Sequence, residues 1–281
     1  MYSVSLLILS CFFFAILAAL IKFLSQQIHP FEQAFFRNFI GVLIILPFIL
    51  KYKIKISNKE NFKLLILRGV FGGLTMILLF WSYSLIPLSQ AMAISFTTPL
   101  FMYLGSIIFF KEKALKINTT VIISGFILTI ILIRPDLEVK FGVLIALIAS
   151  LTHAIAGLLV KQISKTESVL LLMFSMVVIM APISFFPSFY VWTTPNSFEI
   201  IFLLFTIASI ATIGNFLWTK ALSQEALTNL MPFEFSKLLF ATIFGILFFN
   251  EKVDLITIFS GTGLLCLNHY LAKSITKNEK T

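Results

Sequence analysis

Ten stretches of this chain are each about as long and as apolar as a lipid bilayer requires: residues 2–23, 33–50, 65–86, 90–110, 117–134, 141–162, 170–190, 198–220, 227–249 and 254–272. A helix needs roughly 20 mostly apolar residues to cross the hydrocarbon layer, and there every backbone N–H and C=O must find its partner within the structure itself. The connections are too short to hold an aqueous domain. The expected fold is therefore an all-α integral membrane protein of ten transmembrane helices, and its function must reside within the membrane or at its faces. Composition agrees: 59% of the 281 residues are hydrophobic and 12% charged, with a mean hydropathy of +1.03, far from a soluble domain.

The formal charge of +9 would in a soluble protein raise the question of nucleic acid. Its placement answers otherwise. Lys51, Lys53, Lys55, Lys59, Lys63 and Arg68 crowd the second connection, Lys111, Lys113 and Lys116 the fourth, Lys161 and Lys165 the sixth, and Lys273, Lys277 and Lys280 the tail. Alternate connections are nearly bare of such residues, which is the positive-inside bias. It puts both termini in the cytoplasm, in a multi-pass protein of the inner membrane, and no nucleic-acid partner is expected. The first stretch has no basic leader and no small-residue cleavage site, so it reads as a retained helix. Cys11 and Cys266 lie inside apolar spans and read as packing residues, with no disulfide framework or paired metal site. No cofactor is implied.

The chain also repeats itself. "FFKEK" at 109–113 returns as "FFNEK" at 248–252, "WSYSL" at 81–85 as "WTKAL" at 218–222, Gly125 is followed by Gly263, and Pro47 by Pro187, at offsets of 137 to 140 residues. Several echoes in one order argue for a duplicated five-helix unit, covering 1–136 and 137–274, with a short basic tail at 275–281. Five is odd, so the second unit enters the bilayer from the opposite side. Inverted repeats of this kind give two packings of comparable energy, one open to each compartment. Alternatively, duplication merely built a stable bundle. Gly69 with Gly73, and Ala15 with Ala19, are small-residue pairs that let helices approach closely.

Charges inside a span cost about 2.5–3.5 kcal/mol on insertion scales, so Glu234 and Lys237 in "MPFEFSKLL" need a reason. They stand at i and i+3 on one face, just after Pro232, which interrupts a helix. A mutual ion pair is one reading; a solute site at a broken helix is the other. Arg37 in "FFRNF", about one turn into span two, either snorkels to the interface or binds a substrate carboxylate with two parallel hydrogen bonds. His153, near the middle of span six, is either a hydrogen-bonded structural group or a solute or proton contact. Ser95, Thr97 and Thr98 precede Pro99 and either repair the helix backbone or face the solute. Trp81, Tyr83 and Trp218 lie near span ends, where an aromatic belt is expected, unless they stack on a cation. Asn215 in span eight completes the candidate set for substrate binding.

Reaction chemistry is not displayed: there is no H-E-x-x-H, no Walker lysine loop, no G-x-S-x-G and no aspartate-rich pair. With no ATP-hydrolysing domain, transport would be facilitated, exchange-type or ion-coupled. Together, "HPFEQAFFRNF", "ISFTTPLFMYLGSIIFFKEK" and "LFFNEK" resemble the EamA branch of the drug/metabolite transporter superfamily over essentially the whole chain. The resemblance matches Glu112, Glu251 and Pro99 to family positions and implies an inverted ten-helix carrier. The stretches 29–48, 91–113 and 231–252 are most similar to carriers that take up S-adenosylmethionine, although those have an arginine, a tyrosine and a glutamate in span nine where this chain reads "PFEFSK".

The expected function is a secondary transporter, not an enzyme, moving a small polar organic metabolite by alternating access. Amino acids, amine-bearing metabolites and S-adenosylmethionine all suit its charges. A homodimer is compatible with a bundle of this size. Two other readings stay open: a membrane-embedded enzyme on a lipid or isoprenoid, and a membrane subunit with no solute path.

Overall fold

The computed structural model describes residues 2–57, 59–86, 94–133 and 141–249, and six later helical positions, 259, 262, 263, 266, 267 and 270. Eight helices come first: α1 Tyr2–Leu24, α2 Pro30–Lys51, α3 Lys59–Leu85, α4 Thr97–Phe110, α5 Lys116–Ile133, α6 Phe141–Ile163, α7 Val169–Phe189 and α8 Phe198–Gln224. The ninth stretch is broken into a four-residue α9, Leu227–Leu230, a 3-10 segment, Met231–Phe235, and α10, Ser236–Phe249. Among the described residues there is no strand, and seven helical spans are long and apolar enough to cross a membrane; α4 and α5 are shorter apolar helices. The protein is thus an all-helical membrane protein. Most of 254–272, and Glu251, lie outside the described residues.

Helix starts follow capping chemistry rather than hydropathy. α2 begins three residues before its apolar run because Pro30, pre-set for a first helical turn, follows His29, whose Nδ1 accepts the Phe31 N–H at 3.2 Å. The start of α7 is set by Ser168, whose Oγ accepts the Leu171 N–H at 3.3 Å. The turns leading into these helices are alike. In the first, the Ser25 and Ile28 N–H groups donate to the Ile21 and Leu24 carbonyls; 139 residues on, Ser164 and Glu167 donate to Val160 and Ile163.

α1 packs against α8 and α10, α3 against α6 and α7, α2 against α7 and α8, and α4 against α6. The α3–α7 seam rests on missing side chains: a Cβ on Gly69 would meet Ile179 Cβ at 2.6 Å, and one on Gly73 would meet Ile183 at 2.9 Å. The expected small-residue pair on span three is thus a helix contact. Ala15 of the other pair is buried. Cys11 is buried as expected, but Cys266 is exposed on the bundle surface and is no packing residue.

One end of the bundle gathers the lysine-rich connections. There the Glu167 carboxylate accepts from the Ser57 N–H at 2.8 Å and from Asn61 Nδ2 at 2.6 Å, and Lys161 Nζ donates to the Leu222 and Glu225 carbonyls at 3.1 and 2.5 Å. Lys220 sits 5.7 Å from the ring centre of Tyr2, so the N-terminal end of α1 lies there too. At the other end Glu32 Oε2 accepts from the Thr193 N–H and hydroxyl at 3.0 and 2.9 Å, fastening the α7–α8 connection to α2.

Candidate functional site

Pro232 has no N–H to donate and its ring crowds the preceding turn, and around it the ninth stretch winds as a 3-10 segment. That segment carries Glu234, which is buried. Trp218 Nε1 donates to Glu234 Oε1 at 2.6 Å, and Lys237 Nζ lies 3.6 Å from Oε2. Cys11 Sγ lies 3.9 Å from the Glu234 backbone carbonyl, tying α1 to the segment. Counting seven residues from the start of α9 at the lysine-rich end, Glu234 lies about 10–14 Å deep, well inside a hydrocarbon layer roughly 30 Å thick.

The two charges do not form a sealed pair. The Lys237 side chain is 34% exposed against 9% for Glu234, so it borders an open space. His153 faces it as well. On α6 the exposed residues Phe141, Leu144, Ile148 and Leu151 form one outward stripe; His153, also exposed, stands about 200° round the helix from Leu151. Its exposure is therefore to an interior space, not to lipid. Aromatic rings wall that space: Trp218 stacks on His153 with ring centres 6.1 Å apart, and Phe14 and Phe96 each lie 5.9 Å from Lys237 Nζ. The absence of a side chain at Gly157 makes room for this wall, since a Cβ there would lie 2.5 Å from Met102 and 3.4 Å from Trp218. A buried carboxylate flanked by π faces suits an amine- or sulfonium-bearing solute.

The belt position expected for Trp218 does not hold, because its ring is buried and its N–H is spent on Glu234. Trp81, in contrast, is 45% exposed and packs edge-on to Phe141 of the outward stripe of α6, a belt position. The side chain of Tyr83 lies outside the described residues. Beside Pro99, Thr97 Oγ1 donates to the Ile94 carbonyl at 2.6 Å and Thr98 Oγ1 to the Ser150 carbonyl at 3.3 Å; the first bond closes the turn before α4 and the second ties α4 to α6. Ser95 is half-buried just before α4.

Arg37 is the eighth residue of α2, two turns in rather than one, because the helix starts early. Phe39, Leu43 and Leu50 are exposed on the opposite side of the helix, and Phe48, also exposed, lies within about 20° of Arg37. Arg37 Nη2 donates to Asn38 Oδ1 at 3.1 Å and lies 3.6 Å from Met76 Sδ, and Asn38 Nδ2 donates to Ser184 Oγ at 3.1 Å. Arg37 and Asn215 line a recess between α2, α7 and α8 of only about 10 Å³, room for about one water molecule. Among the described residues, no three His, Cys, Asp or Glu side chains cluster to hold a metal.

Phe14, Phe96 and the Asn38–Ser184 pair were not singled out from sequence, since nothing distinguishes one of 33 phenylalanines before the helices are placed. The structural part played by Glu112 was equally hidden. Its Oε1 and Oε2 accept the Leu227 and Thr228 N–H groups at 3.1 and 2.9 Å, capping the broken helix where orphan donors and the positive dipole end favour a carboxylate. Glu112→Ala is expected to lower stability by about 1–2 kcal/mol, read as a fall in melting temperature of the detergent-purified protein; an unchanged melting temperature would mean water replaces the cap at no cost.

Comparison with known proteins adds the following. The EamA-like transporter family model matches residues 1–134 and, separately, 140–267. An S-adenosylmethionine uptake transporter of Rickettsia bellii is 30% identical over 239 residues, 83% of this chain and 80% of the relative. A pseudopaline exporter of Pseudomonas aeruginosa is 24% identical over 276 residues, 98% and 96% of the two chains. A solved crystal structure superposes with a TM-score of 0.82 over 99% of both chains at 12% identity, which establishes a shared fold.

Proposed function

The chain belongs to the EamA-like transporter family, and from that premise we propose that it carries a small amine- or sulfonium-bearing metabolite, S-adenosylmethionine first among them, through the space beside Glu234. As a member of a transporter family it is a membrane transporter of a small metabolite, not an enzyme. The single observation that carries the substrate reading is the Glu234 carboxylate, pinned by Trp218 Nε1 at 2.6 Å beside a partly exposed Lys237 and an inward-exposed His153. An open interior beside the charges favours a solute path over a purely structural subunit.

Alternating access between two inverted five-helix repeats, ten spans in all, is the mechanism we assign. Three observations support it: the family model fits twice, the turns before α2 and α7 repeat with an offset of 139 residues, and the packing pairs exchange under that offset. Moving five helices on turns the α1–α8 pair into the α6–α3 pair and leaves α2–α7 as itself. The lysine-rich end, with the N-terminus, belongs on the cytoplasmic side by the positive-inside bias, in the inner membrane, and the C-terminal tail is assigned to the same side.

The test is uptake of labelled S-adenosylmethionine into vesicles reconstituted with the purified protein, beside thermal stabilisation by a panel of amino acids, amines and S-adenosylmethionine. Saturable uptake above empty vesicles is expected. No uptake and no stabilisation by any amine- or sulfonium-bearing member would sink the substrate reading.

A further inference from the structure

The walls of the space beside Glu234 come from two sets of helices. Phe14 on α1, Trp218 on α8, and Glu234 and Lys237 on the ninth stretch form one side; His153 on α6 and Phe96 just before α4 form the other. Packing follows the same division, with α8 and α10 on α1, and α3 and α4 on α6. At the lysine-rich end the two sets are joined. Lys161 of α6, eight residues and so about 12 Å beyond His153, donates to the Leu222 and Glu225 carbonyls at 3.1 and 2.5 Å. These close α8, where carbonyls lack intrahelical partners and a cation is favoured. Glu112, just past α4, holds the Leu227 and Thr228 N–H groups of α9. Along their helices, Val160, Ala221, Leu230 and Met231 lie between these bonds and the site residues, none more than 1% exposed, in one apolar cluster with Trp218. They plug that end.

The repeat carries the same lysine at the other end. Lys22 closes α1 as Lys161 closes α6, and each backbone carbonyl accepts from a serine hydroxyl three residues on, Ser25 Oγ at 2.7 Å and Ser164 Oγ at 3.0 Å. Leu85, four residues after Trp81 at the end of α3, corresponds to Leu222, four after Trp218. Yet among the described residues α1 does not pack against α3 as α6 does against α8, and Lys22 is exposed. We propose that Lys161 is the latch of the lysine-rich gate, that the structure is the state shut at that end, and that Lys22 latches the opposite state by donating to the last carbonyls of α3 while Lys161 lets go. A lysine suits the task, since its flexible stem and three donors let it leave one set of carbonyls and return. The latch rests on the alternating-access reading above and assigns residues to its two states.

The test is labelling rather than transport, so it stands whatever the solute; failed uptake with the labelling pattern intact would reject the solute alone. In a Cys11→Ala, Cys266→Ala background, Met231→Cys puts a single thiol in the plug. A membrane-impermeant maleimide is applied to inverted membrane vesicles, whose outer face is cytoplasmic. Lys161→Gln is expected to speed the reaction about 10- to 100-fold, the scale of a hydrogen bond to a charged group. Lys22→Gln is expected to slow it, and Lys161→Arg, which keeps the donors, to stay near the parent rate. A lysine that merely stabilises the fold would not give opposite signs at the two ends. Unchanged reactivity in Lys161→Gln, or faster reaction in Lys22→Gln, overturns the latch. Should Lys161→Gln fail to fold, the unmodified protein decides. An impermeant amine acylating reagent, read by mass spectrometry in the same vesicles, should modify Lys161 at least about tenfold more slowly than exposed Lys165, one turn on; equal rates overturn the latch.

Discussion

Glu234→Gln is expected to cut uptake by about 10- to 100-fold while leaving the amount and dispersity of purified protein unchanged. The amide keeps the shape and can still accept from Trp218 Nε1, now 2.6 Å from the carboxylate. What it loses is the negative charge that would meet a cationic solute, and hydrogen bonds to charged groups carry about 1.5–3 kcal/mol. Folding should survive because the amide still accepts from Trp218 Nε1 and Lys237, left without its partner, is already 34% exposed. Trp218→Phe removes the N–H together with one ring of the indole that stacks on His153, keeps the carboxylate, and should cost less, about tenfold. Vesicle uptake normalised to reconstituted protein reads both. Full transport by Glu234→Gln would remove this carboxylate from the solute path.

Gly69→Leu is expected to do the opposite, harming the fold and sparing the chemistry. The position lies on the α3–α7 seam, where a Cβ would already come within 2.6–2.8 Å of three side-chain atoms of Ile179. Two of these belong to the rigid branch next to the backbone, so the helices themselves must separate. Overpacking by even small groups costs about 1–3 kcal/mol, and lipid offers no hydrophobic compensation for a loosened seam. Lower yield and a melting temperature several degrees down, on the scale of about 2–4 °C per kcal/mol, should follow. Gly69→Ala should show a milder form of the same defect, and a stable Gly69→Leu protein would mean α3 and α7 are not locked together in the membrane.

Much of the fold was legible in the sequence because a bilayer leaves so few solutions. The first apolar run, 2–23, became Tyr2–Leu24, and the break at Pro232 fell where its missing N–H demanded. Starts were misjudged where the first turn is polar: α2 opens at Pro30 and α3 at Lys59, ahead of their apolar runs, because caps and turns set those boundaries. The i, i+3 spacing announced the contact between Glu234 and Lys237. The third member did not show itself. Trp218 reaches Glu234 from another helix, and the partnership of His153 with Trp218 spans 65 positions; no periodicity records contacts between helices. Arg37 was ambiguous for a related reason, since the face it occupies depends on neighbours that one helix cannot reveal.

The Met231–Phe235 segment is wound at three residues per turn in the middle of a membrane crossing. An α-helix turns about 100° per residue and the tighter coil about 120°, so relaxing these five residues to the α form would unscrew the chain by roughly a quarter of a revolution. The same relaxation shortens the segment by only about 2.5 Å. Glu234 would then swing off the indole of Trp218 while the crossing keeps nearly the same length. The carboxylate thus sits on a thread, and a small change of pitch re-aims it.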